Sequence, residues 1–291
     1  MAAVRSRFRA SSYRHEHVTM ALPETFTLCS MLKLAEPPAP IRTTPMAPRE
    51  RIAASRAVLC DLDGCLAESN VALPGAAALA NALGERLYIV SNNSTHDPLG
   101  LSQELALDGL HVPPHRIVLA GIVAVESIAR RRPGARILIA GSPVLRARAR
   151  MLGLTLASRE VDVVLLARDT GFDYCRLEAI VRELSAGAEL FASNSDVSHP
   201  GRNGRLVPET GCLLAAVRAC MPETPCTVIG KPKPALYEEA LRRAGCSASE
   251  AIMIGDNPAT DISGALLLGM DAILVGRHPL AEVAGPCELV A

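Results

Sequence analysis

Val58-Leu59-Cys60 is an apolar run that stops abruptly at Asp61-Leu62-Asp63-Gly64. A short segment that is apolar on both faces predicts a buried strand, and Gly64 supplies the turn that ends it. The strand delivers Asp61 and Asp63 to its carboxyl end, which in an open parallel sheet is the edge where ligands sit. Two acids at i and i+2 share one side of a continuing strand, but the Gly64 turn lets both approach one point. Taken alone, an Asp-x-Asp-Gly tetrapeptide is more often a strand end followed by a solvated turn. The rest of the chain decides between the two.

From Ala57 onward, strand-like and helix-like segments alternate, which predicts an α/β fold with a doubly wound, mostly parallel sheet and crossover helices. With 291 residues and 49% hydrophobic composition, the chain can bury a core of one or two domains. The 30 basic and 30 acidic side chains cancel, so no global field draws the protein to nucleic acid or to an anionic membrane. Any anion specificity must be local. No apolar run reaches the roughly 18 residues of a membrane span. The nine cysteines include no Cys-x-x-Cys pair, and Cys60 and Cys65 are spaced unlike zinc ligands. Reduced thiols in a cytoplasmic protein are expected. Residues 1–50 show no sustained period. They are Arg-rich and contain Pro37-Pro38-Ala39-Pro40, and they read as a flexible extension, an upstream start or a targeting segment.

Polar clusters recur at predicted strand ends. Residues 87–90 run into Ser91-Asn92-Asn93-Ser94-Thr95, whose hydroxyl, side-chain amides and backbone N–H groups suit phosphoryl oxygens, with Ser94 or Asp97 capping the helix that follows. Residues 189–192 run into Ser193-Asn194-Ser195-Asp196, a substrate-facing loop or a solvated turn. The strand at 226–229 leads to Gly230-Lys231-Pro232-Lys233-Pro234. A lysine fixed there can offset the repulsion of paired carboxylates and bind a phosphate as a point charge. Residues 251–254 end in Gly255-Asp256-Asn257-Pro258-Ala259-Thr260-Asp261. Asp256 thereby takes the same type of position as Asp61, and carboxylates of this kind hold magnesium together with water and phosphate. Asp261 also has a reading as a helix cap.

Four stretches in this order, Asp61-Leu62-Asp63-Gly64, Ser91-Asn92-Asn93-Ser94, Gly230-Lys231-Pro232 and Gly255-Asp256 through Thr260-Asp261, resemble the four motifs of the haloacid dehalogenase-like hydrolase superfamily. The Ser-Asn-Asn-Ser and Gly-Lys-Pro forms are similar to its NagD, 4-nitrophenyl, phosphoglycolate and pyridoxal phosphatase branch. The resemblance implies a core of residues 51–133 and 226–291 with an α/β cap inserted at 134–225. It implies phosphomonoester hydrolysis, with Asp61 as nucleophile and Asp63 as proton donor and then base. Mg2+ is implied on Asp61, Asp63 through its carbonyl, and Asp256, with Asp261 and Asn257 behind the ligands. Ser91, Asn92, Asn93 and Lys231 are implied at the phosphate, Asp196 at the substrate, and a homodimer through the cap. A phosphomutase needs the same second acid, and a binding protein without turnover would keep the same ligands, so both stay open. Two stretches depart from the branch. Ser195 replaces a proline, and Leu166-Ala167-Arg168-Asp169 replaces a Gly-rich sequence.

Overall fold

The computed structural model describes residues 46–68, 71–201, 205–276 and 287–290, so the expectations for residues 1–45 lie outside the described residues. A short helix, α1 (Pro48–Ala54), precedes β1 (Ala57–Cys60), all four of whose residues are buried. Residues 48–50, expected in the extension, are therefore helical. Arg51 of α1 pairs with Asp271 and donates to the carbonyl of Ala272 at 2.8 Å, which ties the helix to the far side of the sheet.

After the Gly64 turn come a small ribbon, β2 (Ala67–Glu68) and β3 (Val71–Ala72), then α2 (Ala76–Leu83), β4 (Leu87–Ser91), α3 (Pro98–Leu107), β5 (Ile117–Leu119) and α4 (Ala120–Arg131). The middle of the chain holds β6 (Arg136–Ala140), α5 (Pro143–Met151), β7 (Thr155–Leu156), β8 (Val163–Leu166), α6 (Tyr174–Ser185) and β9 (Glu189–Ala192). It continues through a ribbon of β10 (Ser198–Pro200) and β11 (Leu206–Pro208), then α7 (Thr210–Cys220) and β12 (Cys226–Val228). The last part contains α8 (Ala235–Ala244), β13 (Ala251–Gly255), a wide helical turn over Pro258–Ile262, α9 (Ser263–Leu267), β14 (Asp271–Val275) and β15 (Cys287–Val290).

Two parallel sheets result. One has the order β15-β14-β13-β1-β4-β5 and the other β12-β9-β8-β6-β7. In the first sheet β1 lies between β13 and β4, the strands that carry the other two polar ends. β12 belongs to the second sheet, so that layer runs to Val228, past the expected boundary at residue 225. The reason is pairing: Cys226, Thr227 and Val228 face Leu190, Phe191 and Ala192 in register, a partner that local sequence does not reveal.

The second sheet has two different apolar faces. Val164, Leu166, Leu190 and Ala192 pack with Ile180, Leu184, Leu214 and Val217 of α6 and α7. Ile137, Ile139, Val163, Leu165 and Phe191 instead join the same apolar cluster as the first sheet, together with Leu145 of α5 and most of α4. Gly121 shows how close that contact is. A Cβ there would come within 2.8 Å of Ser94 Cα and 2.9 Å of Leu145 Cδ2, so only glycine lets α4 approach both.

Candidate active site

The register of the first sheet assembles the site. Cys60 pairs with Ile254 on one side and Ile89 on the other, and the amide of Asp61 donates to the carbonyl of Ile254 at 2.9 Å. Asp61, Asp256 and Ser91 therefore leave three adjacent strands at one carboxyl edge, as expected for a ligand site in such a sheet. Lys231 reaches the same edge from the loop after β12, where the Lys231–Pro232 peptide is cis. Its Nζ lies 2.6 Å from Asp61 Oδ1 and 2.6 Å from Asp261 Oδ1. Lys231 is 2% exposed and Asp261 is fully buried, so these charges depend on each other rather than on water.

Asp261 is thus an ionic partner of Lys231, and the helix cap is Asn257. The Asn257 Oδ1 accepts from Ala259 N at 2.9 Å, while its own N–H donates to Asp261 Oδ2 at 3.0 Å. Tyr237 of α8 fixes the same turn by donating to the carbonyls of Thr260 and Asp261 at 2.8 and 3.0 Å. Burial and the neighbouring Asp261 push the Asp61 carboxyl well above the usual range despite Lys231. Burial alone would lower the Lys231 ammonium, but Asp261 and Asp61 outweigh it and the net direction is upward. One ammonium is shared by two carboxylates, with Asp256 adding to the repulsion at Asp61.

That excess of buried negative charge is what a divalent cation relieves. Asp61, Cys65 and Asp256 bring ligand atoms within 4.8 Å of one another. The approach requires Gly64, whose φ is +86° and whose Cβ, if present, would sit 2.2 Å from Asp256 Oδ2. A hydrogen bond with Cys60, then burial, pushes the Cys65 thiol up, so it is protonated and a poor ligand. The donors that count are carboxylate oxygens, which fit magnesium better than a thiolate-seeking metal. Sequence reasoning passed over Cys65 because its spacing matched no zinc pattern.

Asp63 faces a different set of groups. Burial raises its carboxyl, and the nearby His199, Lys231, His96 and Arg168 oppose that rise in part. A cavity of about 850 Å³ holds Asp61, Asp63, Ser91, Asn92, Asn93, Asp196, Lys231, Asp256 and Asn257 together. Asp261 lies beneath them.

The two asparagines expected at the phosphate line the cavity, and their side chains are engaged by other groups of the protein. Asn92 braces the site: its Nδ2 donates to Asp196 Oδ2 at 2.9 Å and to the Lys231 carbonyl at 3.2 Å, and its Oδ1 accepts from Lys231 N at 2.8 Å. Asn93 Oδ1 accepts from the amides of Thr95 and His96, which closes the loop on itself. Ser91 Oγ accepts from the Asn93 amide at 3.1 Å. Asp97 is the cap of α3, accepting from Gly100 N at 2.6 Å, whereas Ser94 Oγ accepts from the amide of Arg168 at 3.1 Å and links the two sheets.

The layer built on the second sheet contributes groups that sequence reasoning did not assign to the site: Arg168 after β8, His199 in the β10–β11 ribbon and Glu209 before α7. Arg168 was visible only as a departure from a Gly-rich pattern.

Comparison with known proteins agrees with this geometry. The family model for haloacid dehalogenase-like hydrolases matches residues 55–269. An acid sugar phosphatase from Staphylococcus aureus (strain USA300) is 31% identical over 225 residues, covering 76% of this chain and 86% of that protein. NagD from E. coli K-12 superposes with a TM-score of 0.69 at 26% identity, over 76% of this chain and 88% of that one. A glycerol phosphate phosphatase from Mycobacterium tuberculosis, solved in complex with magnesium, gives a TM-score of 0.71 at 28% identity, covering 77% of this chain and 69% of that one.

Proposed function

The chain belongs to the haloacid dehalogenase-like hydrolases, in the branch of NagD and related phosphatases, and on that premise we propose a magnesium-dependent phosphomonoesterase acting through an aspartyl-phosphate. The observation that carries the reading is the shared contact of Lys231 Nζ with Asp61 and Asp261, each at 2.6 Å, at the edge where Asp63 and Asp256 also stand. Lys231 fixes one oxygen of Asp61 and offers positive charge to the incoming phosphoryl group.

Asp61 attacks phosphorus; the new bond runs from its carboxylate oxygen to phosphorus as the ester P–O bond breaks. Asp63, kept protonated longer by burial, gives its proton to the leaving oxygen. The Asp63 carboxylate then takes a proton from water as that water attacks the acyl phosphate, which restores Asp61. Ser91 and Lys231 hold the transferring oxygens, and positioning and electrostatics do most of the work. Asp61, Asp256 and the Asp63 carbonyl would hold Mg2+, which when bound neutralises charge between a carboxylate and a phosphate dianion. The second sheet with α5, α6 and α7 acts as the cap over this edge. Asp196, braced by Asn92, faces the substrate from that layer.

The test is phosphate release from 4-nitrophenyl phosphate by the purified protein with magnesium and after exhaustive chelation. Loss on chelation and recovery on adding magnesium are expected. Undiminished release after chelation would refute the reading. Trapping of phosphate on Asp61 without transfer to a second substrate hydroxyl would separate a hydrolase from a phosphomutase.

A further inference from the structure

Three side chains of the second layer meet at the end of the cavity that Asp63 faces. Glu209 Oε1 lies 2.8 Å from His199 Nδ1 and 3.6 Å from Arg168 Nη1. The Glu209 carboxylate is itself oriented, its Oε2 accepting from Thr210 N at 3.4 Å, and the backbone of Arg168 is fastened to Ser94 at 3.1 Å. Arg168, His199 and Glu209 line the same cavity as Asp63, on the side of the second layer, and a leaving group whose oxygen is at that acid extends into the space they border. Resting on the phosphatase reading above, we propose that Arg168, Glu209 and His199 form the leaving-group subsite, built for vicinal hydroxyls of a polyol or sugar monophosphate.

The argument is one of donors and acceptors. A guanidinium only donates and a carboxylate only accepts, whereas a hydroxyl does both. Neighbouring hydroxyls therefore satisfy Arg168 and Glu209 together. The pair is neutral overall, so it offers little net pull to a second anionic group. Large aromatic side chains are missing as well: the apolar side chains lining the cavity are Leu73, Val197 and Val207, and no Phe, Tyr or Trp lines it among the described residues. The planar groups that an aryl ring or nucleobase could stack on are His96, His199 and Arg168, and each is held by a carboxylate, Glu104 for the first and Glu209 for the other two. A leaving group without hydroxyls would leave Arg168 and Glu209 less well paired, which is how a site built on hydrogen bonds rejects an analogue.

Glycerol 3-phosphate and n-propyl phosphate isolate the hydroxyls, because the two alkyl leaving groups differ in little else. With magnesium present, the wild-type protein should favour glycerol 3-phosphate in kcat/KM by roughly tenfold or more. In Arg168→Ala and Glu209→Gln that ratio should fall by about tenfold, with Arg168→Lys keeping part of it. Circular dichroism establishes that each variant is folded. Equal kcat/KM for the two esters in the wild type, or variants that lower both esters in parallel, would overturn the assignment. A wild-type protein that releases phosphate from neither ester nor from 4-nitrophenyl phosphate would instead overturn the phosphatase reading beneath it.

Discussion

Asp61 and Asp63 are two residues apart, and the different roles proposed for them rest on different surroundings. Asp61 touches Lys231, while Asp63 stands in the cavity that His96, His199 and Arg168 also line. Asp63→Asn removes a proton donor and leaves the nucleophile, so the loss should be about 10²- to 10⁴-fold on alkyl phosphates and smaller on 4-nitrophenyl phosphate, whose leaving group needs little protonation. Steady-state assays with both esters check this, and equal losses would assign Asp63 a structural role. The same carboxyls make stability depend on pH. Asp61, Asp63, Asp196 and Glu209 are all raised, chiefly by burial, so the fold favours their neutral forms. Their contribution is complete below the ordinary carboxylate range and is lost as pH rises through the raised values. Glu239 and Glu250, held down at about 2, have finished titrating by then. Metal-free protein should therefore melt at a lower temperature near pH 7.5 than near about pH 5. Magnesium should restore the difference by binding the folded state, and Asp256→Asn should abolish that restoration. Thermal melts in chelator and in magnesium at the two pH values measure both effects.

At the scale of elements, the site depends on braces that join strand ends far apart in sequence. Asn92 at the end of β4 holds both the amide and the carbonyl of Lys231. Asn92→Ala leaves those buried groups and Asp196 short of partners, which should cost about 2–3 kcal/mol of stability. Denaturant unfolding measures it, and a change within error would mean that water replaces the amide. This brace was not legible in the sequence, because its partners lie 104 and 139 residues away. What was legible is the set of short apolar strands β1, β4 and β13, each ending in polar residues, and hence the edge that gathers Asp61, Ser91 and Asp256. Helix α5 was not, since only Leu145 and Ala149 of its nine residues are buried and three arginines at alternate positions, Arg146, Arg148 and Arg150, hide the period. The strand β12 was read as a strand but given to the first sheet. Its three residues alternate no differently from an edge strand of either layer, and only pairing with β9 decides.

At the scale of the whole molecule, the question is how separate the two sheets are. The resemblance read in the sequence implies a separate α/β layer at residues 134–225, bounded by Pro133-Gly134 on one side and Pro222 to Pro225 on the other. The apolar cluster argues for closer coupling. One face of the second sheet, through Ile137, Ile139, Val163, Leu165 and Phe191, shares its core with the first sheet by way of α4 and α5. Arg148 of α5 also pairs with Glu126 of α4. Removing residues 134–225 would strip α4 of Leu145 and expose side chains that both layers now cover, so the remaining core should be markedly less stable than the full chain. In the intact protein the shared core should make the two layers unfold together. Scanning calorimetry should show one transition with calorimetric and van't Hoff enthalpies in agreement. Two resolved transitions would mean that the second layer folds by itself and that the contact across α4 is weak. A single transition would place substrate entry on small rocking of the second layer against α4.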